Sequence, residues 1–486
     1  MMRDTLRLRM GWLHAWVGFM AGILLLVVFA GGTLAVFDTE ITRWMQPENL
    51  RLPGNTQPTP TALEAARHDL EALRAGGEFP FLSLPSARDP MLRLLHYDGH
   101  EFIGPALDPL DGQAVAVRQT VGGQLFYNLH FTLWLGHDWG RRVVDGLGLA
   151  MIVATLSGVI IHLRALLPDL VVFRPFASRA RAWLDVHVVI GVFFLPFIVG
   201  MAYTGVVIHS AAILPDGAPA HRRPPAARAD VKAAVALPPL APILNRAAQE
   251  FGTGQTGFFL FNPNYISAAR SDGAGFRLTR DEAEFRYDDG MFLRTLRHDR
   301  AMEIVAQGIR GFHYARWTPP GLRWLYFLSG LGGTVLIASG LVLFLMRHRR
   351  RHGDTIGFRM AEAVATAVIV GFPVATLGLF WANRLLPATL PTRLAWEGDI
   401  FVGIWLASML HACAEALARR PVGAWRWQLR GVVLLGMALP VMDILTRPGW
   451  AGVLGNNVFC AVDGCALGVG AAAMIISRRL APRCPA

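Results

Sequence analysis

Cysteine is scarce in this sequence. The four cysteines all lie in the last fifth of the 486 residues: Cys413, Cys460, Cys465 and Cys484. Their spacing fits neither a zinc site nor the Cys-x-x-Cys-His attachment of a c-type haem. The long polar segments contain no cysteine, which excludes a disulfide framework there.

Charge is also scarce, and lysine is almost absent. Charged residues make up 17% of the chain against 53% hydrophobic residues, whereas soluble domains carry about 25% charged residues. Lys232 is the one lysine, so the formal net charge of +11 comes from arginine. The arginines cluster at the ends of apolar runs, which argues against a nucleic-acid partner. Composition therefore predicts a membrane protein rather than a soluble enzyme.

The apolar runs predict eight membrane helices, because a span needs about 20 mostly apolar residues. Five runs lack Asp, Glu, Lys and Arg, and three contain one acid each, namely Glu415, Asp443 and Asp463. The five are residues 11–37, 146–163, 186–215, 324–346 and 363–383, and the three are residues 400–418, 431–445 and 449–477. The fold class expected is a membrane all-α bundle.

The distribution of arginines along the chain predicts its orientation in the membrane. The first apolar run is too long for a signal-peptide core, so we expect it to remain as an anchor. Arginines are dense before the first span, after each even-numbered span and at the C-terminus, and sparse in the opposite short loops. By the positive-inside rule both termini are cytoplasmic, and the chain is expected to be a multi-pass protein of a bacterial inner membrane in contact with the lipid bilayer.

Two long polar segments, residues 39–145 and 211–323, are then extracytoplasmic. Each contains one amphipathic helix, at residues 61–75 and 240–251, followed by short strand-like runs and Gly-rich turns, which predicts two small α+β domains. The Pro-rich residues 215–239 predict an extended linker. The remaining divisions are residues 1–38, 146–210, 324–352 and a C-terminal membrane extension at 353–486.

The first and third spans repeat a histidine pattern. His14 and His187 each begin a His-x-x-x-Gly sequence, and a second glycine follows each histidine after eighteen residues, at Gly32 and Gly205. At about 1.5 Å per residue, eighteen residues cover roughly 27 Å of helix. Each histidine is therefore expected at the cytoplasmic end of its span.

The second and fourth spans match more loosely. His130 precedes Gly158 by 28 residues, and His313 precedes Gly340 by 27. The repeated unit is a span, an outer segment and a span, which predicts a four-helix core made of two duplicated halves around an axis along the membrane normal. Two imidazoles approaching such an axis suit the axial positions of a haem iron. We expect His14 to face His187 at the inner surface and His130 to face His313 at the outer one.

The histidines also allow a simpler interpretation. A histidine near a membrane surface is often an amphipathic interface residue with no ligand. Three further histidines, His137, His162 and His209, are possible substitute ligands or partners of haem propionates. Arginines flanking the outer histidines are candidates for attracting anions, although solvated surface charge is the simpler role for them. These are Arg118, Arg141, Arg142, Arg310 and Arg316.

The ordered motifs resemble the PepSY-associated transmembrane family, which includes bacterial siderophore reductases and iron-regulated membrane proteins. The matching motifs span residues 5–350 and comprise Leu13-His14-Ala15-Trp16-Val17-Gly18, Leu129-His130, Asp185-Val186-His187, Thr204-Gly205, Gly311-Phe312-His313 and the outer turn Asp108-Pro109-Leu110-Asp111-Gly112. The chain departs from the family in the residues after His313, which are Tyr314 and Ala315 rather than x-Gly, and in the C-terminal extension.

The resemblance implies two b-type haems on His14, His187, His130 and His313, two periplasmic PepSY-like domains, and electron delivery to a periplasmic ferric siderophore or other ferric chelate. The electron donor would be a cytoplasmic reductase or a membrane quinol. No side chain is singled out as catalytic. Two alternatives stay open: a non-enzymatic PepSY-type binding or regulatory protein, and a proton-coupled transporter that uses the acids in the C-terminal spans.

Overall fold

The structure is a computed structural model. It describes residues 2–49, 57–76, 80–97, 102–162, 174, 178–209, 236–262, 264–447 and 457–480. The chain divides into two compact units. Unit 1 contains residues 1–45, 120–209 and 324–486, and unit 2 contains residues 46–119 and 210–323. Most of the expected linker at 215–239 lies outside the described residues.

The helices, in chain order, are α1 (Met2–Ala35), α2 (Asp38–Trp44), α3 (Pro60–Ala75), α4 (Gln124–Thr132), α5 (His137–His162), α6 (Arg179–Phe193), α7 (Leu195–Ile208), α8 (Leu240–Phe251), α9 (Ala301–Tyr314), α10 (Pro320–His352), α11 (Ile356–Thr366), α12 (Phe372–Leu385), α13 (Arg393–Leu417), α14 (Pro421–Thr446) and α15 (Asn457–Leu480). A π-helical segment, Ala367–Gly371, joins α11 to α12. The strands are β1 (Phe81–Ser83), β2 (Leu92–Tyr97), β3 (Phe102–Ile103), β4 (Ala106–Leu107), β5 (Ala114–Val115), β6 (Thr256–Phe261), β7 (Tyr265–Arg270), β8 (Glu282–Arg286) and β9 (Phe292–Leu296).

Unit 1 is a membrane helix bundle. Among the described residues, seven helical segments are long and apolar enough to cross a bilayer, and α6 with α7 raises the number to eight if that bent pair is one span. This agrees with a multi-pass membrane protein. In the core, α1 packs against α4 and α5, and α5 packs against α7.

The third span differs from the straight helix expected from the sequence. It bends by 67° between α6 and α7. Pro196 is the second residue of α7, and because proline has no backbone N–H it cannot bond to the carbonyl one turn earlier. Apolarity alone gave no sign of this bend.

The C-terminal spans enclose a buried ionic network. Asp443 on α14 pairs with Arg384 on α12 at 2.5 Å and also with Arg447, and all three side chains are fully buried. Arg384 also donates to Trp44 O at 2.6 Å. Trp44 Nε1 donates to Asp463 Oδ1 on α15 at 3.1 Å. Buried charges are costly unless paired and hydrogen-bonded, so these groups hold α12, α14, α15 and the end of α2 in register.

Unit 2 contains an antiparallel sheet with a layer of two helices. Its strand order is β5-β4-β2-β1-β6-β7-β8-β9, with β3 beside β2. The helix α8 presents Leu240, Ile243, Leu244 and Ala247 to the core, at the spacing of one helical face. Leu63, Ala66 and Leu70 of α3 join the same core, which includes Phe259 and Phe285 of the sheet.

The expectation of two separate α+β domains needs correction, because the two outer segments share this sheet. Strand β1 of the first segment pairs with β6 of the second, with Leu82 opposite Phe259. Each segment alone would leave an open strand edge, and pairing the edges removes it. The segment boundaries also shift: residues 120–145 belong to unit 1, where α5 begins at His137 rather than near residue 146.

Most local predictions in unit 2 agree with the structure, with differences at the ends. Residues 61–75 do form a helix, which begins at Pro60 because Thr59 caps it by accepting from Ala62 N. The helix at 240–251 is as expected. Among the strand-like runs of the second outer segment, residues 275–279 lie in an irregular connection instead of a strand, and the pattern did not indicate the strand β7.

Candidate functional site: paired histidines in the helix bundle

Two histidines from different membrane helices lie close together in unit 1. The ring centroids of His14 on α1 and His187 on α6 are 6.0 Å apart, with the ring planes at 70°. A metal–nitrogen bond to imidazole is about 2 Å long, so one metal ion held by two imidazoles separates their centroids by roughly 6 Å. The spacing of this pair therefore suits two axial ligands of one iron.

Each of these rings is fixed by a backbone carbonyl of a neighbouring helix. His14 Nδ1 lies 2.8 Å from Ala154 O on α5. His187 Nδ1 lies 3.0 Å from both Leu336 O and Ser339 Oγ on α10. Because a carbonyl oxygen can only accept, each Nδ1 carries the proton and donates. Metal ligation then falls to Nε2, which is the usual arrangement of ligating histidines.

Two glycines give the rings their space. A Cβ atom added at Gly158 would lie 3.0 Å from His14 Cε1, and one added at Gly340 would lie 3.1 Å from His187 Cε1. Both separations are tighter than ordinary Cβ contacts. The helices α5 and α10 therefore accommodate the imidazoles by lacking a side chain at the point of contact.

A second pair of close approaches repeats this pattern ten residues earlier on α5 and α10. A Cβ atom at Gly148 would lie 2.9 Å from Val206 Cγ2 on α7, and one at Gly330 would lie 2.6 Å from Thr33 Oγ1 on α1. Helix α5 thus contacts the first span at Gly158 and the third span at Gly148. Helix α10 contacts the third span at Gly340 and the first span at Gly330, so the same pattern recurs with the two spans exchanged.

A cavity of about 1160 Å³ surrounds the two rings. Binding pockets for small ligands and cofactors are usually about 300–1,000 Å³ and mostly apolar, so this space is large enough for a macrocycle. Six of its lining residues are glycines: Gly11, Gly18, Gly22, Gly158, Gly191 and Gly340. Its charged and titratable lining residues are Arg181, Arg347, Arg349, Arg350, Glu362 and His162. Arg349 and Glu362 form an ion pair at 2.7 Å.

This donor set fits a haem better than a bare metal ion. The described residues contain no group of three or more His, Cys, Asp or Glu side chains arranged to hold a metal ion. A porphyrin supplies four of the six ligands of its iron, so two imidazoles are sufficient. Four features support the fit: paired imidazoles, fixed tautomers, glycines beside the rings, and a largely apolar cavity whose lining includes arginines.

His130 is held in the same manner as the inner pair. It lies on α4, and its Nδ1 is 2.9 Å from Val28 O on α1. A Cβ atom at Gly32 would lie 2.6 Å from that nitrogen, so Gly32 gives His130 its space. Helix α1 therefore takes part in two histidine sites that are eighteen residues apart. At the first it contributes His14, and at the second it contributes Gly32, which leaves space for His130.

His313 differs from His130 in position. Helix α9, which carries His313, belongs to unit 2. The helices α4 and α9 end alike, with left-handed residues at Leu133 and Ala315. His130 lies three residues before its left-handed residue, whereas His313 lies two before, so the two side chains leave their helices about 100° apart. The pairing of His130 with His313 stays a prediction.

The three substitute ligands have different surroundings. His137 is 64% exposed at the start of α5, which does not suit an axial ligand. His162 ends α5, lines the cavity and interacts electrostatically with His187. His209 follows α7, and its Nδ1 lies 2.9 Å from Asp145 Oδ1. His209 also interacts electrostatically with His130.

The flanking arginines mostly have local roles. Arg118 pairs with Glu48 at 2.7 Å, and Arg142 lies over the Trp139 ring. In unit 2, partial burial lowers the pKa of Arg310, and the neighbouring Arg280 guanidinium lowers that pKa further. Arg310 and Arg280 are therefore neighbouring cations, and Arg280 also interacts with Asp272.

Sequence reasoning missed the groups that orient the histidines. The carbonyls of Ala154, Leu336 and Val28 have no sequence signal, because any residue supplies one. Asp145 was missed as well, since the sequence pattern makes it the last residue of an outer segment. The available signal was the spacing of four residues between Arg141 and Asp145, which is typical of two side chains on the same face of a helix.

Comparison with known proteins identifies the family of this chain. The family model described as the PepSY-associated TM region matches residues 11–347. An uncharacterised protein of Pseudomonas aeruginosa, PA4219, is 26% identical over 323 residues, which cover 59% of this chain and 79% of the relative. The region matched by the family model contains all four histidines and both outer segments. The chain belongs to the PepSY-associated transmembrane family.

Proposed function

We propose that this protein is a di-haem b-type membrane oxidoreductase that passes electrons from the cytoplasmic side, or from the membrane quinol pool, to a ferric siderophore or similar ferric chelate in the periplasm. The observation that carries the proposal is the His14–His187 pair, whose ring centroids lie 6.0 Å apart. Each haem, when bound, would supply a one-electron ferric/ferrous couple.

The side chains of the inner site have defined tasks in this proposal. His14 and His187 would hold the iron through Nε2, and the carbonyls of Ala154 and Leu336 fix their rings and raise their basicity. Gly158 and Gly340 keep the ring positions open. The arginines of the cavity would bind propionate carboxylates, because a guanidinium suits bidentate pairing with a carboxylate.

A second centre at His130 would extend the electron path along α1. The repeated contacts of α5 and α10 support a duplicated pair of helices around a central axis. The carbonyl contact of His130 and the space that Gly32 leaves for its ring support a second site. The arginine-rich loops support a position of the inner pair on the cytoplasmic side under the positive-inside rule. Arg280 and Arg310 would attract an anionic chelate to unit 2.

The first test is an absorption spectrum of the purified full-length protein, oxidised and then reduced with dithionite. We expect a Soret band and sharpened α-bands on reduction, with two haems per chain. His14→Ala and His187→Ala should each remove one haem and leave the other. Protein that contains no haem after expression with ample haem supply would end the proposal.

The same experiment separates the alternatives. A binding or regulatory protein predicts colourless protein and no effect of the histidine substitutions. A proton-coupled transporter predicts that the acids of the C-terminal spans take up protons, whereas Asp443 is paired with Arg384 and Arg447 and Asp463 accepts from Trp44. Those contacts favour a structural role for Asp443 and Asp463.

A further inference from the structure

We propose that the part of the cavity lined by α11, α14 and α15 binds a membrane quinol, and that Glu362 accepts a hydrogen bond from a hydroxyl of that quinol. This inference rests on the proposed function, because it names the electron donor of the haem at the inner site. It also gives the C-terminal helices a part in the reaction.

The cavity extends beyond the two imidazole rings. Gly340 of α10 lies against His187, and Arg349 follows nine residues later on the same helix, which is about 13 Å along the axis. All three residues line the cavity. Its volume of about 1160 Å³ exceeds the range of about 300–1,000 Å³ that is typical of a site for one ligand. The cavity therefore has room for a second ligand beside a haem.

Three C-terminal helices contribute to the cavity wall, and each does so through one face. Residues three or four positions apart lie on the same side of a helix. The pairs are Glu362 and Thr366 of α11, Val422 and Trp425 of α14, and Ile476 and Leu480 of α15. Ala363 and Ala424 belong to a cluster of buried alanines that joins α11 to α14. Aliphatic side chains and an aromatic ring suit the tail and the flat ring of a quinol.

Glu362 gives this apolar wall a hydrogen-bond acceptor. It is the one carboxylate among the described residues that line the cavity. Its side chain is 11% exposed and pairs at 2.7 Å with Arg349, which is 45% exposed. Positive charge offsets the cost of burying a carboxylate, so Arg349 keeps Glu362 ionised and able only to accept. A quinol hydroxyl is a suitable donor, whereas a lipid acyl chain has none.

The helix that carries Glu362 loses its regular geometry next to the cavity. Thr366 is the last residue of α11 and is followed by the π-helical segment Ala367–Gly371. Trp405 of α13 donates to Ala367 O at 2.9 Å, which supports this wider turn. Single π-helical turns inside α-helices occur frequently at functional sites. The irregular turn therefore is a second feature, independent of the carboxylate, that favours a binding site here.

The proposed reaction conserves electrons and protons. Oxidation of one quinol to a quinone releases two electrons and two protons. The electrons pass one at a time to the iron held by His14 and His187, and finally reduce two ferric ions of the chelate to ferrous ions. The protons pass from the quinol hydroxyls through the Glu362 carboxylate to water on the exposed side of Arg349.

The first experiment measures binding in purified full-length protein by photolabelling with an azidoquinone and mapping the label by mass spectrometry. We expect label on α11, α14 or α15. Ile476→Trp should remove the label, because it fills the cavity. The matched control is Ile475→Trp, since Ile475 is the preceding residue of α15, is 58% exposed and does not line the cavity. His14→Ala protein should still be labelled, because binding of the quinone does not require the haem.

The second experiment measures the rate of haem reduction by decylubiquinol in a stopped-flow instrument. Glu362→Gln should raise the quinol concentration for half-maximal rate by about 10–100-fold, the loss expected for a hydrogen bond to a charged group. Ile476→Trp should abolish the reaction, and Ile475→Trp should react like wild type. Haem content and reduction by dithionite should be the same in all of these proteins.

The outcomes separate this inference from the proposed function. Wild-type protein without haem would overturn both. Protein with two haems that decylubiquinol does not reduce would overturn only the inference, as would equal labelling and reduction in Ile476→Trp and Ile475→Trp. A phospholipid that native mass spectrometry finds in wild type and not in Ile476→Trp, without any quinone label, would also overturn it. If Ile476→Trp does not fold, Glu362→Gln decides, and an unchanged half-maximal concentration there would reject the site.

Discussion

Gly158 lies against the ring of His14, so closely that an added Cβ atom would be 3.0 Å from Cε1. A Val at this position would bring two more carbon atoms into the ring's space. We expect Gly158→Val to displace His14 and to lower the haem content from two per chain to about one, measured by pyridine haemochrome assay. Gly340→Val should have the same effect through His187.

The matched control is Gly146 on the same helix, where nothing lies within 4 Å of an added Cβ atom. Gly146→Val should retain two haems. Equal haem loss in Gly146→Val and Gly158→Val would mean that replacing any glycine of α5 by valine causes the loss, and the specific contact with His14 would then have no support.

His162 lines the cavity but lies at the end of α5, whereas His14 and His187 approach each other inside it. We therefore expect His162→Ala to keep both haems and to shift neither Soret maximum. The measurement is the reduced-minus-oxidised spectrum, with His187→Ala as the comparison. Loss of a low-spin signal in His162→Ala would make His162 a ligand.

The Asp443 network should dominate the stability of the C-terminal spans. Asp443→Ala would leave Arg384 and Arg447 buried without their carboxylate, and removing one partner of a buried pair costs about 3–5 kcal/mol. We expect a markedly lower midpoint of thermal unfolding in detergent, with the haem spectrum of the folded fraction unchanged.

Asp354→Asn is the control for this substitution. Asp354 is 92% exposed and lies 3.7 Å from Arg359, so its removal should change the free energy of unfolding by less than about 0.5 kcal/mol. A wild-type unfolding midpoint in Asp443→Ala would show that the ionic network is dispensable.

The turn between β8 and β9 predicts a dependence on pH. Arg286 donates to Asp289 at 2.9 Å, and this bond, with the Met291 backbone N–H, lowers the pKa of Asp289 to about 2. An unfolded Asp has a pKa of about 3.9. The stabilisation is therefore complete above about pH 5 and is lost as the pH falls through 4 towards 2.

The substitution that tests this pH dependence is Asp289→Asn. The difference in thermal unfolding midpoint of unit 2 between wild type and Asp289→Asn should be greatest near pH 6 and should have fallen to a small fraction of that value at pH 2. High salt should reduce the difference at pH 6, since the pair is exposed. A difference that is constant from pH 6 to pH 2 would contradict the assignment.

Local patterns were sufficient for much of the fold. The apolar runs indicated the membrane helices, and the amphipathic spacing of Leu240, Ile243 and Ala247 indicated α8, because these signals depend on residues that are near one another in the chain. The bend at Pro196 and the shared sheet through β1 and β6 were not indicated. Both depend on which distant surfaces pack together.

The same division applies to the site. By itself the sequence indicated a chain with several membrane helices, and it showed His14 and His187 at the start of matching His-x-x-x-Gly patterns. Only the tertiary structure decided that their rings lie 6.0 Å apart, which carbonyls fix them, and that Asp145 lies beside His209. A repeated pattern shows which positions of the chain correspond to each other. A set of metal ligands needs atoms placed to within a few tenths of an ångström, and that placement depends on how separate helices pack.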